Sequence, residues 1–106
     1  IMSGSDNGPG PVRLSSLQST DELIIWRGAG IALVGENDGD RWVIARGWLA
    51  ADQMTDIRRW VFSTPEAFSG QFRRLVSEAC GNSDEGRAAG AAAAAWASSR
   101  IAITTP

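Results

Sequence analysis

The chain has 106 residues, a net charge of −2 and no histidine, lysine or tyrosine, so all ten of its basic residues are arginines. These absences remove the commonest general base and metal ligand, the Schiff-base nucleophile and the phosphate-loop lysine. We therefore expect no catalytic residue, no metal site and no cofactor, and we do not expect an enzyme. A chain of this length is expected to form one domain.

Cysteine content and hydropathy bear on the compartment. Cys80 is the single cysteine, so no disulfide forms within the chain, which fits a reducing cytoplasm. No apolar run approaches the ~18 residues that cross a bilayer. The sequence therefore predicts a cytoplasmic protein without membrane contact.

The charge is spread unevenly along the chain. Residues 1–40 carry a net charge of −4, whereas residues 41–74 carry +3. The acidic total disfavours nonspecific nucleic-acid binding, because such binding depends on neutralising phosphates. The basic middle leaves a weaker form of nucleic-acid binding open.

Residues 1–11 contain mostly Gly, Pro, Ser and Asp/Asn and have almost nothing to bury. Such a composition predicts a disordered N-terminal tail. We expect a single α+β domain over residues 12–106.

Short β-rich runs occupy the first half of the domain. Residues 23–27, 31–35 and 42–49 are rich in aliphatic and aromatic side chains. The first two runs are separated by Gly28-Ala29-Gly30, which permits a tight turn, and the next two by residues 36–40, which contain Asp-Gly and predict a hairpin. The pattern therefore predicts an antiparallel β-meander.

Residues 50–62 fit two structures. Met54, Ile57 and Val61 follow helical spacing, while Ile57, Arg59 and Val61 follow strand spacing. The run Trp60-Val61-Phe62 favours a strand by propensity. The meander is thus predicted to have three or four strands.

Two helices are predicted after the meander. Thr64 or Ser63 can cap the first and Pro65 suits its first position, while Gly81 and Asn82 end it. Its apolar stripe consists of Phe68, Phe72, Leu75, Val76 and Ala79. The second helix is predicted to begin at residues 83–85 and to continue through an Ala-rich stretch, and the alternation in residues 101–104 leaves a short last strand open.

Residues 22–62, taken as strands, have two different apolar faces. One, the aliphatic face, carries Leu23, Ile25, Val43, Ala45, Leu49, Ile57 and Val61. The other, the Trp/Arg face, carries Trp26, Trp42, Arg46, Trp48, Arg58, Trp60 and Phe62. We expect the first helix to pack on the aliphatic face, which would leave the Trp/Arg face for a partner.

Trp and Arg dominate binding hot spots, because they bury large areas and offer directional donors. The leading hypothesis is a small adaptor or regulatory protein that binds a protein partner, with a homodimer expected. The predicted partner-binding residues are Trp42, Arg46, Trp48, Arg58 and Trp60. A structural interpretation stays open, in which the Ala-rich helix covers these tryptophans as core.

Two alternative hypotheses belong to other function classes, namely nucleic-acid or nucleotide binding and catalysis. Aromatic side chains on a sheet can stack on bases, so the same face could bind single-stranded nucleic acid or a nucleotide. An enzyme would have to work without His or Lys, for example through Asp52 and Asp56 as paired carboxylates. The acidic turn (Glu36, Asp38 and Asp40) lacks the full calcium-loop pattern.

Overall fold

The structure is a computed structural model that describes residues 12–13, 22–51 and 53–104. The predicted N-terminal tail lies outside these residues. In chain order the elements are β1 (Val12–Arg13), β2 (Leu23–Gly28), β3 (Ile31–Asp38), β4 (Arg41–Ala50), β5 (Gln53–Phe62), α1 (Pro65–Cys80) and α2 (Ser83–Thr104). The predicted α+β fold is confirmed.

The strands form one antiparallel sheet in the order β1-β5-β4-β3-β2. Strands β2 to β5 follow one another as a meander, and the two residues of β1 pair with Met54 and Gln53 of β5. Residues 53–62 are therefore a strand, as propensity favoured. The sheet has four long strands and one short one.

Tight turns join the first three long strands. Ala29 and Gly30, between β2 and β3, both have positive φ angles of 53° and 81°, as a two-residue hairpin turn with the sheet's twist requires. The predicted hairpin at residues 36–40 is confirmed, with Asp38 opposite Arg41. The Asn37 side-chain amide donates to the carbonyl oxygens of Gly39 and Arg41 at 3.1 and 3.0 Å, which fixes that turn.

A bulge interrupts the pairing of β4 with β5. Arg46 lies opposite Arg58, but Trp48 lies opposite Thr55, so β5 carries one extra residue. Asp56 in this stretch has a φ of 52°. The extra residue allows Met54 and Ile57, which are three residues apart, to lie on the same face of β5.

Local signals set the ends of the helices as predicted. The Thr64 hydroxyl accepts a hydrogen bond from the Ala67 amide at 3.2 Å and caps α1, with Pro65 next. Gly81 ends α1 in the left-handed conformation. The Asn82 side-chain oxygen then accepts from the Asp84 amide at 2.8 Å, at the start of α2.

Replacing Thr64 with alanine is expected to lower the free energy of unfolding by about 1 kcal/mol, because an orphan amide of the first turn loses its acceptor. Urea unfolding followed by far-UV circular dichroism measures this change. Ser63→Ala is the matched control, since Ser63 is the neighbouring hydroxyl and is exposed. An equal loss in both variants would show that Thr64 is not the cap.

The short last strand left open for residues 101–104 does not form, because α2 continues to Thr104. The Ala-rich stretch propagates the helix at little entropic cost, and this outweighs the alternating pattern of the last residues. Within the described part of the chain, no helix is both long and apolar enough to span a membrane.

The helices pack on the opposite face of the sheet from the one predicted. Phe68 and Phe72 of α1 lie in one core cluster with Trp42 of β4, and Trp26 and Trp60 pack against it. Aliphatic side chains complete that side of the sheet, namely Ile24, Ile31, Leu33 and Ile44. The expectation that α1 covers the aliphatic face was therefore wrong.

Ring size explains this choice of face. The many alanines of α2 leave space above the sheet, and large rings fill it: Phe68 lies 5.5 Å from Trp96 between ring centres. At Gly35 a Cβ atom would lie 2.7 Å from Phe68 Cζ, so only glycine lets this ring approach the sheet. The Trp/Arg face is thus largely core.

Candidate functional site

Trp42 belongs to the core rather than to an accessible surface. It is 5% exposed, and its ring centre lies 5.7 Å from that of Phe68 and 6.0 Å from that of Trp96. Of the five predicted partner-binding residues, Trp42 is the one that the two helices cover. The structural interpretation of the tryptophans therefore applies to it.

The other four predicted residues are less buried than Trp42: Trp48 and Arg58 are exposed, and Arg46 and Trp60 are half-buried. We call Arg46, Trp48, Arg58 and Trp60 the interaction patch. Arg46 lies directly opposite Arg58, and Trp60 lies two residues beyond Arg58 on β5. Trp48 is 57% exposed, the largest side chain of the described part to be so open.

Trp60 anchors both arginines of the interaction patch. The guanidinium carbons of Arg46 and Arg58 lie 5.5 and 5.3 Å from the centre of its ring. At such distances the ring quadrupole attracts each cation, by about 0.5–2 kcal/mol depending on burial. The contacts hold two long side chains in defined positions and reduce the entropy that a ligand would have to remove.

The two arginines of the interaction patch have no acidic partner among the residues that the structure describes. Ion pairs there join Arg41 to Asp38 at 3.7 Å and Arg87 to Asp84 at 3.3 Å. Like charges directly opposite each other in a sheet are unfavourable. The patch is therefore a place of uncompensated positive charge on an acidic protein.

A pocket of about 290 Å³ is lined in part by Trp48. Apolar side chains and one charge of each sign line it, namely Ala29, Ile31, Arg46, Trp48, Leu75, Glu78 and Ala79. The contribution of α1 was not expected from the sequence, because that helix was predicted to cover the aliphatic face. The four-residue spacing of Leu75 and Ala79 already indicated that both side chains lie on the same face of α1.

The aliphatic face has a smaller cluster of its own. Ala32 and Met54 are its buried members, with Ala45, Leu49 and Ile57 packed around them, and no helical residue belongs to this cluster. Val61 on this face is 58% exposed. A cavity of about 220 Å³ here is flanked by the charged side chains of Glu36 and Arg59.

A further cleft of about 350 Å³ lies between β2 and α2. Its lining is apolar and includes Trp26, Phe72 and Trp96. The Trp96 indole nitrogen is buried without a hydrogen-bond partner. This cleft was not expected from the sequence, because its walls come from β2, α1 and α2 and no pattern within one element shows that they leave a space.

Acidic side chains do not form a metal-binding group in the described part of the chain. No three His, Cys, Asp or Glu side chains there are placed to hold a metal ion. Asp56 is exposed and lies in the β-bulge, while Asp52 lies outside the described residues.

Comparisons of the chain with protein-family models, with curated proteins and with solved structures give no significant match. The geometry of the interaction patch and of the pocket beside it is therefore the basis for a functional proposal.

Proposed function

We propose that this protein is a small protein-binding module that forms a homodimer through Trp48 and the pocket beside it. The observation that carries the proposal is a tryptophan left 57% exposed beside a pocket that its own ring helps to line. Tryptophan is the side chain most enriched in binding hot spots, because it buries a large area in a preformed pocket.

The surface around Trp48 is complementary to itself. It presents an exposed ring and a pocket, and it carries both positive charge at Arg46 and negative charge at Glu78. A two-fold dimer requires such a surface, because the same patch has to serve on both subunits. Each Trp48 ring can then enter the cavity of the other copy.

A dimer interface has to bury more surface area than the Trp48 ring alone can supply. A stable interface buries about 1,200–2,000 Å² in total, and a tryptophan supplies at most about 250 Å². The exposed Arg58, which lies opposite Arg46, and the β2–β3 turn at Ala29, which lines the same pocket as Trp48, would supply part of the remainder. The cytoplasm is the proposed location, supported by the single free cysteine.

Light scattering of the full chain tests the proposal. We expect the wild type to have the mass of a dimer at low and at high salt, since apolar contacts are not weakened by screening. Trp48→Ala is expected to give a folded monomer. Phosphate-dominated contacts would instead weaken steeply as salt rises.

Val61→Ala is the matched control, because Val61 is equally exposed on the aliphatic face. We expect this variant to remain a dimer. A dimer that Val61→Ala dissociates and Trp48→Ala leaves intact would place the interface on the aliphatic face. A monomeric wild type at every concentration would overturn self-association altogether.

A further inference from the structure

We infer that Arg46 and Arg58 form a binding site for a phosphate group. The inference starts from their juxtaposition: they lie opposite each other on β4 and β5, and both guanidinium carbons lie within 5.5 Å of the centre of one ring, that of Trp60. Two cations are therefore held beside one aromatic side chain. Both arginines also belong to the surface proposed for the homodimer, and the phosphate titration described below is separate from the mass measurement that tests the dimer.

Neither Arg46 nor Arg58 forms an ion pair with a carboxylate of the described residues. Arg41 and Arg87 each pair with an aspartate three residues away along the chain, whereas Arg46 and Arg58 pair with no described residue. Glu78 lines the same pocket as Arg46 but does not form an ion pair with it. Repulsion between the two guanidinium groups would be relieved by a bound anion.

The chemistry of the arginines selects the anion. A guanidinium group presents a planar fork of donors that matches phosphate oxygens, and it stays charged at all physiological pH values. A phosphate monoester carries a charge of about −1.5 to −2 near neutral pH, so it balances the charges of two arginines. A single carboxylate would balance only one of them. Arg46 is partly buried, and partial removal of water strengthens the attraction.

Trp48 extends the site on one side. It follows Arg46 by two residues and therefore lies on the same face of β4, because side chains alternate along a strand. A group attached to the phosphate would therefore meet an exposed ring. The phosphate can belong to a nucleotide, whose base would contact Trp48, or to a phosphorylated side chain, whose neighbouring backbone would contact Trp48.

Titration of the full chain with inorganic phosphate at constant ionic strength tests the inference, with the Trp60 indole N–H signal followed by NMR. We expect a saturable shift of this signal in the wild type. Arg46→Gln and Arg58→Gln are each expected to weaken binding about 10- to 100-fold, as the loss of a charge-assisted hydrogen bond implies.

Arg59→Gln is the matched control, because Arg59 is the next residue, is exposed and lines the cavity on the other face. It is expected to leave phosphate affinity within twofold of the wild type. A Trp60 shift that does not saturate, or that survives in the double variant of Arg46 and Arg58, would overturn the site. Equal weakening by Arg59→Gln would do the same, since it would indicate general charge attraction.

Two further titrations distinguish the source of the phosphate. Adenosine monophosphate is expected to shift the Trp48 and Trp60 signals together if a base stacks on Trp48. A short phosphoserine peptide that binds more tightly than inorganic phosphate would instead assign a phosphorylated protein. Either result supports the phosphate site, and only the first supports the nucleotide-binding alternative.

Discussion

Replacing Trp42 with alanine is expected to lower the free energy of unfolding by about 3–5 kcal/mol, because the removed ring leaves a cavity in the core. Trp42 is 5% exposed and contacts the rings of Phe68 and Trp96. The total free energy of unfolding of a domain of this size is about 5–15 kcal/mol. The melting temperature should fall by about 4–8 °C for each kcal/mol lost.

Trp48→Ala is the matched control for this prediction, since both tryptophans lie on the same face of β4. Trp48 is 57% exposed, so its removal should change the free energy of unfolding by less than about 0.5 kcal/mol. Urea unfolding of both variants, measured at a low protein concentration, tests the difference. Equal losses in the two variants would show that the helices do not divide the face into core and surface.

This contrast marks the limit of what the sequence could predict. Alternation in β4 correctly placed Trp42 and Trp48 on one face. Their different burial depends on how far the helices extend over the sheet, and no pattern in β4 contains that information. The sequence therefore placed the five predicted partner-binding residues on one face but could not show that Trp42 is buried in the core.

Local signals predicted the elements well, because each depends on a few neighbouring residues. The hairpin at residues 36–40, the cap at Thr64 and the end of α1 at Gly81 all form as expected. The bulge at Asp56 was not predicted, because an aspartate in the left-handed conformation has no strong sequence signal. The short last strand that the sequence left open does not form, because four alternating residues are too few to outweigh a long helix.

The choice of sheet face could not be made from periodicity. Both faces are apolar, and a period of two shows which residues share a face without showing which face a helix covers. The decisive residues come from distant parts of the chain: Gly35 makes room for Phe68, and Trp96 fills the space that the alanines leave. Complementarity of size across the core is a property of the folded chain.

Replacing Gly86 with alanine is expected to lower the free energy of unfolding by about 1–3 kcal/mol, because the added methyl group overpacks the α1–α2 contact. A Cβ atom there would collide with the Ser77 hydroxyl and would lie 2.7 Å from the Arg73 carbonyl oxygen. The hydroxyl can rotate away, but the carbonyl belongs to the backbone of α1. The helices would therefore have to separate, which outweighs the gain of about 1 kcal/mol in helix propensity.

Gly70→Ala is the matched control, since Gly70 lies in α1 and a Cβ atom there meets nothing within 4 Å. This variant gains propensity without a collision, so its free energy of unfolding should rise by about 0.5–1 kcal/mol. Opposite signs in the two variants, measured by urea unfolding, would establish the close approach of α1 and α2 at Gly86. A rise in both would mean that the helices lie farther apart, and that Gly86 is not required for their packing.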